Sequence, residues 1–314
     1  MDVLNGIGEI RPRHRGAVVT IGNFDGVHLG HQKIIGTVLG EAAGLGARSM
    51  AITFRPHPMK VLRPEQDVRV LTPPEEKARL MKAYGIDSVL FIPFDRAFAG
   101  TEADDFINEV LVGKLAVRMV VVGHGYAFGR GKKGTTELLR RRGRKFGFGV
   151  RVVRNASRGG NVVSSSLIRS LLGRGRVREA ARYLGRPYMI EGTVEKGAGR
   201  GARLLDTPTA NISTPNELVP KKGVYAVRAA VGARTFDGVA SIGTNPTFPG
   251  AGQSYEVHLF GFSGDLRGEG LRVYFVDRLR DEARFPDAEA LHDQIRADIS
   301  RAKEILRKSP LRPI

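Results

Sequence analysis

The sequence predicts a two-part α/β protein. An amino-terminal parallel sheet covered by helices is followed by an antiparallel β domain, a barrel or a sandwich, with one terminal helix. Three observations predict it. Short β-branched runs alternate with helical patterns in the first half. In the second half such runs follow one another across Gly, Pro and Asn turns with no helices between them. A length of 314 residues suits two domains at roughly 100–200 residues each.

The strands of the first half are AVVTI (17–21), SMAITF (49–54), SVLFIPF (88–94), RMVVVG (118–123) and GVRVVR (149–154). They are continuously apolar rather than alternating, as expected for parallel strands buried on both faces. Helices are expected between them. HQKIIGTVLGEA follows the first strand, PPEEKARLMKAYG opens with Pro and stops at Gly, and EADDFINEVLVGKL follows Thr101 as its N-cap. In such sheets ligands bind beyond the carboxyl ends of the strands.

The second half offers MIEGTVEK (189–196), GVYAVRAAV (223–231), TFDGVASI (235–242), SYEVHLFGF (254–262) and LRVYFVDRL (271–279) as strands. A terminal helix carries Leu291, Ile295, Ile299, Ala302 and Leu306 on one stripe, expected to pack on the strands. LLGRGRVREAARYLGRPY (171–188) joins the halves, which places the domains at 1–185 and 186–314.

Composition excludes some chemistry. Zero cysteines remove disulfides, thiolate metal sites and cysteine nucleophiles. No apolar run approaches the ~18 residues of a membrane span, and MDVLNGIGEIRPRHRG lacks the apolar core of a secretory signal. A cytoplasmic protein with no membrane partner is expected. The net charge of +18 suits anionic substrates or nucleic acid. Arginine is scattered through every segment, no nucleic-acid motif appears, and the basic run ELLRRRGRKFGFGVRVVR (137–154) has little aromatic interleaving, so no nucleic-acid partner is expected.

The stretch GNFDGVHLGHQ concentrates the chemistry. A helix beginning near His28 presents unpaired N–H groups and the positive end of its dipole. Gly22, Gly26 and Gly30 allow close backbone approach to a bulky anion. His28 and His31 project from one face of the first turn and suit the charge that grows on departing pyrophosphate.

GNFDGVHLGHQ resembles the H-x-G-H motif of nucleotidylyltransferases, in the form carried by bifunctional riboflavin kinase/FAD synthetases. TFRPHP (53–58) and VSSSLIRSLL (163–172) resemble that family's next signatures, in the same order. The resemblance implies a Rossmann-like FMN adenylyltransferase domain followed by a riboflavin kinase barrel. Gly22, Asn23, Gly30, Ser164, Ser165 and Arg169 would hold ATP and its phosphates, with His28 and His31 catalytic. Asn23, His57 and Phe128 would meet the flavin, Phe128 through the loop VVGHGYAFGRGKKGTTELL (121–139). GRGKKG (129–134) in that loop matches G-x-G-x-x-G but lacks the context of a dinucleotide fingerprint.

In the second half GTVEKGAGRGARLLDTPTANIS (192–213) resembles the family's kinase motif ending in P-T-A-N. It implies Gly199 and Thr209 as ATP contacts, and Thr209 and Asn211 as Mg²⁺ ligands. Hydroxyl and amide oxygens are hard donors suited to that ion, although the same residues read alone make a polar turn. Strand alternation puts Glu256 and His258 on one face of SYEVHLFGF, and the family's base corresponds to Glu256.

The implied substrates are riboflavin, FMN and ATP, with Mg²⁺ as cofactor; no oligomeric state is implied. Asp206, Thr207, Gly261 and Arg267 depart from the family pattern and motivate an alternative, an FMN adenylyltransferase with an impaired kinase half. Gly125 and Ala127 motivate another, a nucleotidylyltransferase acting on a different phosphorylated acceptor.

Overall fold

A computed structural model of the chain describes residues 1–195, 209–244 and 253–309. They fall into two units, Met1–Ser165 and Ser166–Ile314.

The first unit holds β1 (Asp2–Leu4), β2 (Val18–Ile21), β3 (Ser49–Arg55), β4 (Ser88–Pro93), β5 (Met119–Gly123) and β6 (Gly149–Val153) in the order β1-β4-β3-β2-β5-β6. All pairings are parallel. Alternate residues feed two cores. Val18, Ala51, Val89 and Val121 meet α1 (Leu29–Leu45) and α3 (Pro74–Ala83) through Ile35, Val38, Leu80 and Met81. Val19, Ile52, Leu90 and Val120 meet Phe106, Ile107, Leu111 and Leu139 on the opposite face. Burial on both faces explains the unbroken apolar runs.

Strand order reverses between β2 and β5, so their carboxyl ends flank the switch point where α/β sheets bind ligands. The loops that leave these strands are 22–28 and 124–135.

The five expected strands of this unit are present, and β1 adds a short edge strand that the sequence did not announce. Helix 102–115 differs. One turn at Ala103–Asp105 runs into a π-helix over Phe106–Lys114, a form that 3.6-residue spacing does not signal. Thr101 does not cap it; Glu102 holds the N-cap position, and the Thr101 carbonyl accepts the Arg130 N–H at 2.8 Å. The basic run folds as most of α6 (Thr136–Phe146), which buries Leu139 and Gly143, followed by β6.

In the second unit α7 (Ser165–Gly173) and α8 (Val177–Leu184) precede a closed antiparallel barrel, which decides between barrel and sandwich. Its strands are β9 (Tyr188–Glu195), β10 (Thr209–Ser213), β11 (Gly223–Val231), β12 (Arg234–Thr244), β13 (Gln253–Leu259) and β14 (Gly270–Arg280). Their order around the barrel is β10-β13-β12-β11-β14-β9. The Lys221 N–H reaches the Leu172 carbonyl at 3.0 Å, so α7 is tied to the barrel unit.

The terminal helix (Ala288–Lys308), here α9, buries Asp298, Ala302 and Leu306. The expected stripe therefore shifts: Leu291, Ile295 and Ile299 are half-buried, and Asp298 takes a buried place through its 2.9 Å ion pair with Arg280.

Strand β9 passes close to β10 at Gly192. A Cβ there would lie 2.2 Å from Ile212 Cγ2 and 2.3 Å from the Ser213 carbonyl oxygen. Gly192→Ala is expected to destabilise the barrel by about 1–3 kcal/mol through overpacking. Calorimetry of the full chain should show the barrel's transition lowered and that of the sheet unit unmoved.

Candidate functional site

The loop after β2 contains two non-glycine residues in left-handed backbone, Phe24 at φ 46° and Val27 at φ 39°, beside Gly26 at 84°. For a β-branched residue this is a costly conformation that persists only when the surroundings over-determine it. They do so here. Phe24 and Val27 are core residues packed with Ile35 and Leu80. Asp25, 1% exposed, accepts the N–H of Leu71 at 2.8 Å and of Thr72 at 3.2 Å. The Gly26 N–H donates to Thr72 Oγ1 at 3.1 Å, and Gln32 Nε2 donates to the Val27 carbonyl at 2.9 Å. Ser165 Oγ donates to the Asp25 carbonyl at 2.9 Å. Beneath the loop, Lys77 Nζ donates to the Asn23 carbonyl at 2.7 Å.

Held this way, the loop delivers His28 as the N-cap of α1. Its Nδ1 accepts the His31 backbone N–H at 3.3 Å. A backbone amide can only donate, so Nδ1 carries no proton and the neutral ring bears its proton on Nε2. That leaves a hydrogen-bond donor beside the positive end of a 17-residue helix. The two imidazoles stack with centroids 3.6 Å apart, and Phe24 meets His31 edge-on at 5.2 Å. Gly30 has a different reason from the expected one. A Cβ there would come within 3.1 Å of His28 Cε1, so the glycine makes room for the imidazole. At Gly22, likewise, a Cβ would come within 3.3 Å of the Phe24 ring.

Asn23 is half-buried, and among the described residues its side-chain amide takes no protein partner. Ser165, at the start of α7, is brought to the loop by its bond to Asp25, with Ser164 just before it. Arg169 lies one turn further along α7, within the second unit. His57 caps α2 (Pro58–Leu62), its Nδ1 accepting the Met59 N–H at 3.2 Å.

Phe128 turns toward the core. Its ring is 9% exposed, packs against Phe106 at 5.8 Å, and fills the space over Gly134. It supports its loop from the core. Gly125, at φ 75°, occupies a turn closed by Tyr126 N–H to the Gly123 carbonyl, which accounts for a glycine there. Ala127 is exposed.

In the barrel, register assembles the second constellation. Thr209 stands opposite His258, and Asn211 opposite Glu256. Asn211 is also opposite Glu195 on β9, and Glu256 opposite Ser241 on β12. Directly paired residues share a face. Ala210, Ile212, Val257 and Leu259 are the buried alternates, so Thr209, Asn211, Glu256 and His258 line the outside of the barrel, with Glu256 exposed. The P-T-A-N residues Thr209–Asn211 are therefore strand, not turn.

Gly199, Asp206 and Thr207 lie outside the described residues. Gly261 adopts φ 67°, where glycine is favoured. Arg267 pairs at 2.8 Å with Asp265, whose carboxyl that guanidinium holds down to about 2.

Sequence reasoning missed Asp25 as an anchor, along with Thr72, Lys77 and the register partners Glu195 and Ser241. Asp25 sat inside the quoted motif. Lys77, in PEEKARLM, looks like an ordinary solvated helix charge.

The FAD synthetase family model matches residues 10–167 and the riboflavin kinase model residues 184–306. The bifunctional riboflavin kinase/FMN adenylyltransferase of Pseudomonas fluorescens is 38% identical over 97% of this chain and 98% of its own length. That of Escherichia coli K12 is 36% identical over 97% of each chain. A solved structure titled a macrolide-efflux protein from Streptococcus pneumoniae superposes with TM-score 0.87 at 30% identity, covering 96% of this chain and 98% of that one. Among the described residues no helix is long and apolar enough to cross a membrane.

Removing the Asp25 carboxylate leaves two buried amides without their acceptor. Asp25→Ala is expected to cost the sheet unit about 3 kcal/mol, whereas Asp25→Asn, which keeps an acceptor oxygen, loses less. Urea unfolding of the two variants checks the order.

Proposed function

The chain belongs to the family of bifunctional riboflavin kinase/FMN adenylyltransferases, and we propose that its two reactions are divided between the loop after β2 and the outer face of the barrel. The enzyme phosphorylates riboflavin with ATP to give FMN, then transfers AMP from a second ATP to FMN, giving FAD and pyrophosphate. Riboflavin, FMN and ATP are its substrates.

For the kinase step, the observation that carries the reading is the register of Asn211 against Glu256. In this reading Glu256 accepts the proton of the ribityl 5′-hydroxyl as its oxygen attacks the γ-phosphorus and the bond to the β-phosphate oxygen breaks. Asn211, directly opposite it, and Thr209, two residues along the same strand, contact ATP and suit Mg²⁺ as hard oxygen donors, with the Glu195 carboxylate next in register. When bound there, Mg²⁺ would neutralise phosphate charge. The alternative of an impaired kinase half loses its footing, because the riboflavin kinase model spans 184–306. Of its motives among the described residues, Gly261 and Arg267 are features of local turns.

For adenylylation, an FMN phosphate oxygen attacks the α-phosphorus of ATP and pyrophosphate leaves. Positioning and charge stabilisation suffice for this in-line displacement. We assign the departing charge to His28 Nε2–H, the positive end of α1, His31, Ser164, Ser165 and Arg169. Gly22 and Gly30 shape that start. Asn23 and His57 take the flavin side, with Phe128 backing its loop from the core. A cytoplasmic setting and the absence of a nucleic-acid partner belong to the same reading.

Glu256→Gln preserves shape and removes the base. FMN formation from riboflavin should fall by about 10²–10⁴-fold, while FAD formation from FMN is unchanged. A variant that still phosphorylates riboflavin at the wild-type rate would refute the assignment.

A further inference from the structure

Lys77 is 6% exposed, in the helix behind the adenylylation loop. An ammonium is among the most expensive groups to bury, and one this enclosed needs a reason. Its Nζ lies 2.7 Å from the Asn23 carbonyl and 3.4 Å from Thr53 Oγ1. Thr53 Oγ1 itself donates to the same carbonyl at 3.2 Å. Both lone pairs of one carbonyl are therefore held by buried donors, one of them charged.

That carbonyl belongs to the Asn23–Phe24 peptide. Its orientation sets φ of Phe24, which at 46° is left-handed. Rotating this peptide would let Phe24 return to negative φ and relieve the strain. It would also redirect Asn23, whose side-chain amide has no protein partner among the described residues. A charge-assisted bond from a fixed ammonium is a strong way to prevent the rotation.

We propose that Lys77 is a positioning residue for FMN adenylylation, holding the Asn23–Phe24 peptide in the orientation that presents Asn23 and the first turn of α1 to the substrates. The inference rests on reading that loop as the adenylylation site. The charged and titratable groups on the surrounding elements are few. Asp25 lies on the loop, with His28 and His31 at the start of α1. Arg55 at the end of β3 pairs with Glu75, and Glu76 pairs with Arg79 on α3. Burial pulls Lys77 down to about 8, and the Asp25 charge opposes that shift.

The sign follows. Below about 8 the ammonium grips the carbonyl; above it the neutral amine donates weakly. Adenylylation should decline as pH rises through that value. Over the same range, up to the ordinary lysine value of 10.5, the unfolded chain binds the proton that the folded one has lost. This group's contribution to stability therefore rises, and the decline in activity is not unfolding.

The test uses full-length Lys77→Met, Lys77→Arg and His28→Ala, assayed separately for FAD from FMN and for FMN from riboflavin across neutral to alkaline pH. Lys77→Met should lower kcat for adenylylation by about ten- to a hundredfold, with little change in the KM for ATP and no alkaline decline. Lys77→Arg should recover part of kcat and move the decline to higher pH. Riboflavin phosphorylation should be unchanged in each and reports that the barrel unit is folded; the calorimetric transition of the sheet unit reports the fold around Lys77. A Lys77→Met enzyme with wild-type kcat, or one that keeps the wild-type decline, overturns the proposal. If Lys77→Met loses both activities, the Lys77→Arg profile decides: a moved decline supports the role, an unmoved one overturns it. His28→Ala with full adenylylation would instead overturn the reading of the loop, and the proposal with it.

Discussion

Asp25 lies buried within one short turn and Lys77 lies buried against it, and their hydrogen bonds to backbone groups hold that turn in a conformation its own residues disfavour. The carboxylate takes amides of the segment before α3; the ammonium takes a carbonyl of the turn. Each group loses hydration on burial and these bonds stand in for it, so a shift of the turn would leave a buried charge poorly satisfied. The position of His28, and with it the start of α1, depends on this arrangement. The sheet supplies the frame, because the strand order reverses between the neighbouring strands β2 and β5.

The barrel reaches an equivalent result by register alone. Strands β9, β10, β13 and β12 are adjacent, and one row across them carries Glu195, Asn211, Glu256 and Ser241. A one-residue slip would turn Asn211 inward and Ala210 outward. The buried alternates Ala210, Ile212, Val257 and Leu259 prevent that slip, so the apolar half of the pattern fixes the polar half.

Much of this was legible in the sequence, for identifiable reasons. Continuous β-branched runs announced the parallel strands, and alternation in SYEVHLFGF placed Glu256 on the outward row. Local pattern could not show long-range purpose. Lys77 in a helix rich in Glu, Lys and Arg looks solvated until β3 and the loop close over it. Gly30 suggested room for a ligand, yet its neighbour within the motif occupies that room. Phe128 sat in a loop whose chemistry pointed outward, while its own ring turned to the core. The edge strand β1 is too short for periodicity to register, and the π-helix follows no period that a helical stripe would reveal.

The ring of His28 closes the first turn of α1 and, in the proposed reading, also offers a donor to the substrates. Asparagine, aspartate and serine are the strongest residues for the first of these jobs. Residue 28 is therefore a point where robustness and turnover oppose one another. On the proposed reading, a redesign guided by stability would replace the histidine early and gain a firmer helix at the expense of adenylylation.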